Sequence, residues 1–139
     1  AVSERDLLDL RFSSGLDALP PGRWFITDYP ADQAALARRR AENPAVAARF
    51  ELVIDGLEVA NGYHELVDVE EQRTRFATDR AQRRAAGQVV HEPDERLLAA
   101  LGHGLPSCAG VALGFDRLMM LRLGTRRIAD VQPFPSERA

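Results

Sequence analysis

The stretch Phe50-Glu51-Leu52-Val53-Ile54-Asp55-Gly56-Leu57-Glu58-Val59-Ala60-Asn61-Gly62-Tyr63-His64-Glu65-Leu66 decides the fold. Asp-Gly between two apolar runs favours a type I′ turn, whose twist matches that of the strands on either side. The reading is therefore an antiparallel hairpin, with one strand over 50–54 and its partner over 57–66.

Working outward, Arg23 to Tyr29 is rich in aromatic and β-branched residues and stops at Pro30, which predicts a buried strand with Trp24, Phe25 and Tyr29 in the core. Residues 3 to 12 predict a short helix before the breakers Ser13-Ser14-Gly15 and Pro20-Pro21-Gly22. Gln33 to Arg40 is alanine-rich and predicts a helix on propensity. Asp68 is a candidate N-cap for a polar surface helix reaching Ala86, with Gly87 closing it. Asp94 caps a second helix expected to stop at Gly102. Gly110 to Leu113 reads as a strand that runs straight into a helix over Phe115 to Leu123, ended by Gly124. The sum is an α+β chain whose antiparallel sheet joins the Trp24 strand, the hairpin and the Gly110 strand, with helices packed against it.

At 139 residues the chain fits one domain. A composition of 45% hydrophobic and 28% charged residues is globular, and no window approaches the ~20 apolar residues of a membrane span. No secretory signal stands at the start, so the cytoplasm is the expected location and no membrane partner is expected. One cysteine, Cys108, excludes an internal disulfide framework and a cysteine-rich zinc site, and reads as a small buried residue. A net charge of −3 argues against general polyanion binding, although all 18 basic residues are arginine.

Two segments carry chemistry. On the second hairpin strand, Glu58, Asn61 and Glu65 interrupt residues made for burial, and an ionised carboxylate is costly to desolvate unless a cation or donors meet it. Carboxylates with an amide suit a Mg²⁺ ion bridging phosphates, and suit a substrate ammonium equally well. Strand alternation puts Asn61 and Glu65 on one face and Glu58 on the other, so a bulge at Gly62 or at Val59-Ala60 is needed to gather all three. His64, on the face opposite Glu65, reads as structural. The second segment is Gly110-Val111-Ala112-Leu113-Gly114-Phe115-Asp116-Arg117. Its small residues admit close approach of a flat group, the helix start offers free N–H groups to phosphate oxygens, and Arg117 adds a guanidinium.

GVALGFDRLMML, at 110–121, resembles motif 3 of class II aminoacyl-tRNA synthetases, and RFELVIDGLEVANGYHELVD resembles the stretch preceding it in the lysyl branch. Their order and spacing of about fifty residues make the pair far more specific than either alone, and the likeness extends through DYPADQAALA to the end of the chain. The resemblance implies a partial class II catalytic fold, residues 1–139 being its C-terminal portion, with motifs 1 and 2 absent. Within that branch, Gln33 to Ala37, His64 and Ala112 are more similar to the ligases that attach β-lysine to elongation factor P than to true lysyl-tRNA synthetases.

Carried over residue by residue, the resemblance implies that Glu58, Val59, Gly114 and Arg117 bind ATP, Arg117 in the catalytic role. It implies that Asn61, Glu65 and Ala112 shape the amino-acid site, and that Glu58 and Glu65 are the carboxylates available to Mg²⁺. The implied reaction activates lysine or β-lysine as an aminoacyl adenylate and ligates it to a lysine of elongation factor P, in a longer, homodimeric form. Lysyl-tRNA synthetase, with tRNA as acceptor, is the alternative. A third reading is a non-catalytic truncated paralogue that binds nucleotide or a protein partner.

Overall fold

The computed structural model describes residues 4–136. The chain runs α1 (Glu4–Asp17), β1 (Arg23–Pro30), a 3₁₀ turn (Ala31–Gln33), β2 (Val46–Ile54), β3 (Leu57–His64), α2 (Val69–Ala85), α3 (Glu95–His103), β4 (Ala109–Leu113), α4 (Phe115–Leu123) and a second 3₁₀ turn (Ile128–Asp130). The fold is α+β, and its four-stranded antiparallel sheet has the order β1-β2-β3-β4. Asp55 and Gly56 both have positive φ, 50° and 78°, as a type I′ turn requires, so the hairpin forms where the Asp-Gly pair places it.

The chain packs as two compact units. The first is built from the segments up to Thr27, Phe50–Gly62 and Val111 onward. Val53, Val59, Ala60 and Met120 are its buried apolar residues. Its hairpin turn is tied down on both sides of Gly22: the Asp55 N–H donates to the Gly22 carbonyl at 2.9 Å, and the Gly22 N–H donates to Asp55 Oδ1 at 2.8 Å. α4 begins at Gly114 with no side-chain cap and ends at Gly124 in the left-handed conformation.

The second unit comprises Asp28–Arg49 and Tyr63–Gly110. Tyr29, Ala34, Ala37, Ala47, Leu66, Leu98 and Leu101 are buried in it. α2 starts where Asp68 accepts hydrogen bonds from the Glu70 and Glu71 N–H groups, each at 2.9 Å. It ends in a Schellman pattern, the Gly87 N–H donating to Arg84 and the Gln88 N–H to Arg83, with Gly87 at φ 67°. α3 is capped in the same way by Asp94, which accepts from the Arg96 and Leu97 N–H groups.

Five sequence expectations are corrected. Gln33 to Arg40 is not a helix: Ala35 takes φ 50°, Ala37 bridges to Glu65, and Arg39 bridges to Ala47. Arg75 reaches in to donate to the Ala35 and Ala37 carbonyls at 2.9 and 2.7 Å, so tertiary hydrogen bonds override alanine's helix propensity. β1 is not a buried strand, for along it only Tyr29 is buried, while Trp24 is partly exposed and Phe25 largely so. α1 continues through Ser13-Ser14-Gly15 to Asp17, and α3 passes Gly102 to stop before Gly104, whose φ of 100° no other residue adopts easily. Cys108 is half-buried rather than buried.

Candidate functional site

In the first unit, a cleft of about 470 Å³ opens where β3 and β4 meet the start of α4. Glu58, Val59, Ala60 and Asn61 line it from β3, Ala112 and Leu113 from β4, Gly114 to Arg117 from the strand-to-helix turn, and Ile128 closes one side. β3 and β4 are joined there by the Gly114 N–H donating to the Val59 carbonyl at 2.9 Å. Six of the seven residues singled out in the sequence, Glu58, Val59, Asn61, Ala112, Gly114 and Arg117, therefore stand on one wall system.

Glu58 and Asn61 are three residues apart and both line the cleft, while the adjacent Val59 and Ala60 are both buried. Arg117 leaves the first turn of α4 and donates through Nη1 to the Glu58 carbonyl at 2.8 Å and to Glu58 Oε2 at 3.4 Å. Both side chains are close to half exposed, so the pair is screened by solvent and orients the two groups more than it stabilises the fold.

Asn61 donates through Nδ2 to Glu51 Oε1 in a long contact of 3.4 Å. Its Oδ1 is buried and has no hydrogen-bond partner. Glu51 is a functional candidate that the sequence reading missed; its buried carboxylate is hidden in an otherwise ordinary strand pattern, and only its position opposite Asn61 in the hairpin could have flagged it.

Gly114 shows what its missing side chain leaves open. Its φ is −75°, and the nearest atoms a Cβ there would meet are Arg117 side-chain carbons at 3.4 to 3.6 Å, ordinary contacts. Neither backbone conformation nor protein packing requires glycine at this position. The first N–H groups of α4, which follow it, carry the positive end of the helix dipole.

Glu65 belongs to the second unit. It is half-buried, its N–H donates to the Cys108 carbonyl at 3.0 Å, and its carbonyl accepts from Arg38 Nε at 3.2 Å. Arg38 Nη2 also donates to Ser107 Oγ, which lies 3.2 Å from His64 Nε2, so His64 ties the strand end to the loop before β4, the structural part expected of it. Among the described residues no group of three or more His, Cys, Asp or Glu side chains gathers to hold a metal ion. A Mg²⁺ ion that takes one or two carboxylates and completes its shell with water and phosphate fits such a donor set; a cage made of protein alone does not.

Residues 9–138 match the family model described as tRNA synthetases class II (D, K and N). The chain belongs to the class II tRNA synthetases. Among curated relatives, the protein named elongation factor P–(R)-β-lysine ligase from Proteus mirabilis is 55% identical over 115 residues, 83% of this chain and 35% of that protein. Proteins of the same name from Vibrio vulnificus and Vibrio cholerae are 49% and 48% identical over 95% and 98% of this chain, and over 42% and 43% of their own length. This class II chain thus spans well under half the length of the relatives it matches, and the likeness favours the ligase subgroup that Gln33 to Ala37, His64 and Ala112 suggested. No helix among the described residues is long and apolar enough to cross a membrane.

Proposed function

We propose that this chain is the C-terminal part of the catalytic domain of an ATP-dependent ligase that activates lysine or β-lysine and transfers it to a lysine of elongation factor P. The observation that carries the reading is the cleft: a carboxylate, an orphaned amide oxygen, two small residues and an arginine converge on an uncapped helix start. Such a set matches a nucleotide triphosphate at one end and a cationic amino acid at the other. The names of the relatives supply the acceptor.

In this reading the first N–H groups of α4 and the Arg117 guanidinium bind phosphate oxygens, and Gly114 and Ala112 admit the nucleotide and the amino acid close to the backbone. Glu58, beside the Val59 backbone, would hold the Mg²⁺ ion, which when bound would neutralise phosphate charge. Glu65 takes the substrate ammonium. The substrate carboxylate attacks the α-phosphorus and expels pyrophosphate; an amine then attacks the adenylate carbonyl and releases AMP. No protein nucleophile is needed, since positioning and charge neutralisation lower the barrier. The enzyme works in the cytoplasm, where ATP and its acceptor are.

The test uses a polypeptide of the relatives' length that contains this chain. Pyrophosphate exchange into ATP should depend on lysine or β-lysine and fall at least tenfold in Arg117→Ala, about the loss of one charge-assisted contact. Exchange that is indifferent to both amino acids would remove the proposal, and exchange followed by charging of tRNA alone would move the acceptor to tRNA.

A further inference from the structure

Glu65 is held at its backbone on three sides, by the bridge to Ala37, by the Cys108 carbonyl and by Arg38, so only its side-chain torsions remain to place the carboxylate. That carboxylate lies across Gly110, the second residue of β4. A Cβ built on Gly110 would stand 2.6 Å from Glu65 Oε1 and 3.7 Å from its carboxyl carbon, and apart from its chain neighbours no other atom of the described residues comes within 4 Å of it. Gly110 has no positive φ, so its backbone conformation is open to any residue. The only steric demand for glycine at 110 therefore comes from the Glu65 carboxylate.

We propose that Gly110 is a positioning residue that sets the selectivity of the ligase for an ammonium-bearing amino acid, by leaving its Cα bare for the Glu65 carboxylate to lie on. The inference rests on the reading of Glu65 as the ammonium-binding group. A methyl group at 110 drives Oε1 from 2.6 Å to at least the 3.4 Å of ordinary contact. Because the displaced atom is the free end of a flexible side chain, the fold loses little, while the charge meeting the ammonium moves out of register. Hydrogen-bonded ion pairs weaken steeply with such misplacement.

The experiment is a double-mutant cycle in a polypeptide of the relatives' length that contains this chain, with the affinity for lysine, norleucine and ATP measured for the parent, Gly110→Ala, Glu65→Gln and the pair. Norleucine lacks the side-chain ammonium, and ATP reports on the rest of the fold. The expected result is a loss of lysine affinity of about tenfold or more in each single variant, with norleucine and ATP unchanged and the pair no worse than Glu65→Gln alone. Additive losses in the pair, or a fall in ATP affinity matching that for lysine, would show that Gly110 acts through general structure and overturn the proposal. Full lysine affinity in Gly110→Ala with loss in Glu65→Gln overturns it while leaving the role of Glu65 intact. Unchanged affinity in Glu65→Gln, or no lysine binding by the parent, removes the reading of Glu65 and this inference with it.

Discussion

Replacing Gly114 by alanine separates binding from stability. The atoms nearest the new methyl group are Arg117 carbons at 3.4 to 3.6 Å, ordinary contacts, and φ of −75° is open to alanine, so little strain is expected. Two small terms oppose each other: a less flexible unfolded chain stabilises by about 0.4–1 kcal/mol, and alanine is a poorer N-cap than glycine by a similar amount. With an unfolding entropy of about 2.1 cal/mol/K per residue, about 0.29 kcal/mol/K for the chain, the net change in Tm is within about 3 °C. Nucleotide binding behaves differently, because the methyl group projects beside the uncapped N–H groups that phosphate oxygens approach. Loss of one charge-assisted contact, about 1.5–3 kcal/mol, raises Kd for Mg·ATP by about 10- to 150-fold. Calorimetric titration and a thermal melt of the same two proteins give both numbers. Unaltered ATP affinity in the variant, or a fall in Tm of the size that a core mutation causes, would refute the assignment of Gly114 to ligand approach.

Arg75→Ala leaves the Ala35 and Ala37 carbonyls and Glu71 without their guanidinium, and a loss of about 3 kcal/mol, or about 10 °C in Tm, is expected by thermal melt. Asp68→Ala removes the acceptor for two N–H groups at the start of α2; about 1 kcal/mol and about 3 °C are expected, with ATP affinity unchanged. Glu58→Gln keeps the size of the side chain and removes its charge, so the Mg²⁺ concentration giving half-maximal ATP binding should rise, and a curve superimposable on the parent's would take Glu58 out of the metal site.

The hairpin, both Asp-capped helices and the strand-to-helix turn at Gly114 were legible because each rests on local chemistry: positive φ at Asp-Gly, a carboxylate accepting two N–H groups, a glycine at a helix end. The segment after Gln33 was not, since its conformation is dictated by Arg75 and by pairing with Glu65 and Ala47, all outside the segment. Trp24 and Phe25 misled for a related reason, as aromatic content marks a strand without saying which face is covered. In the cleft, charge on an apolar strand announced Glu58, whereas Glu51 gave no signal until its contact with Asn61 was seen. Gly110 looked like part of a small-residue run, and only the distance to Glu65 shows what its bare Cα accommodates.

The central claim is tested most directly by the mass of elongation factor P. Incubated with Mg·ATP, β-lysine and a polypeptide of the relatives' length that contains this chain, the factor should gain one β-lysyl residue on a single lysine, and should not gain it when Arg117 is replaced by alanine. A factor of unchanged mass, alongside aminoacylated tRNA in the same mixture, would contradict the account.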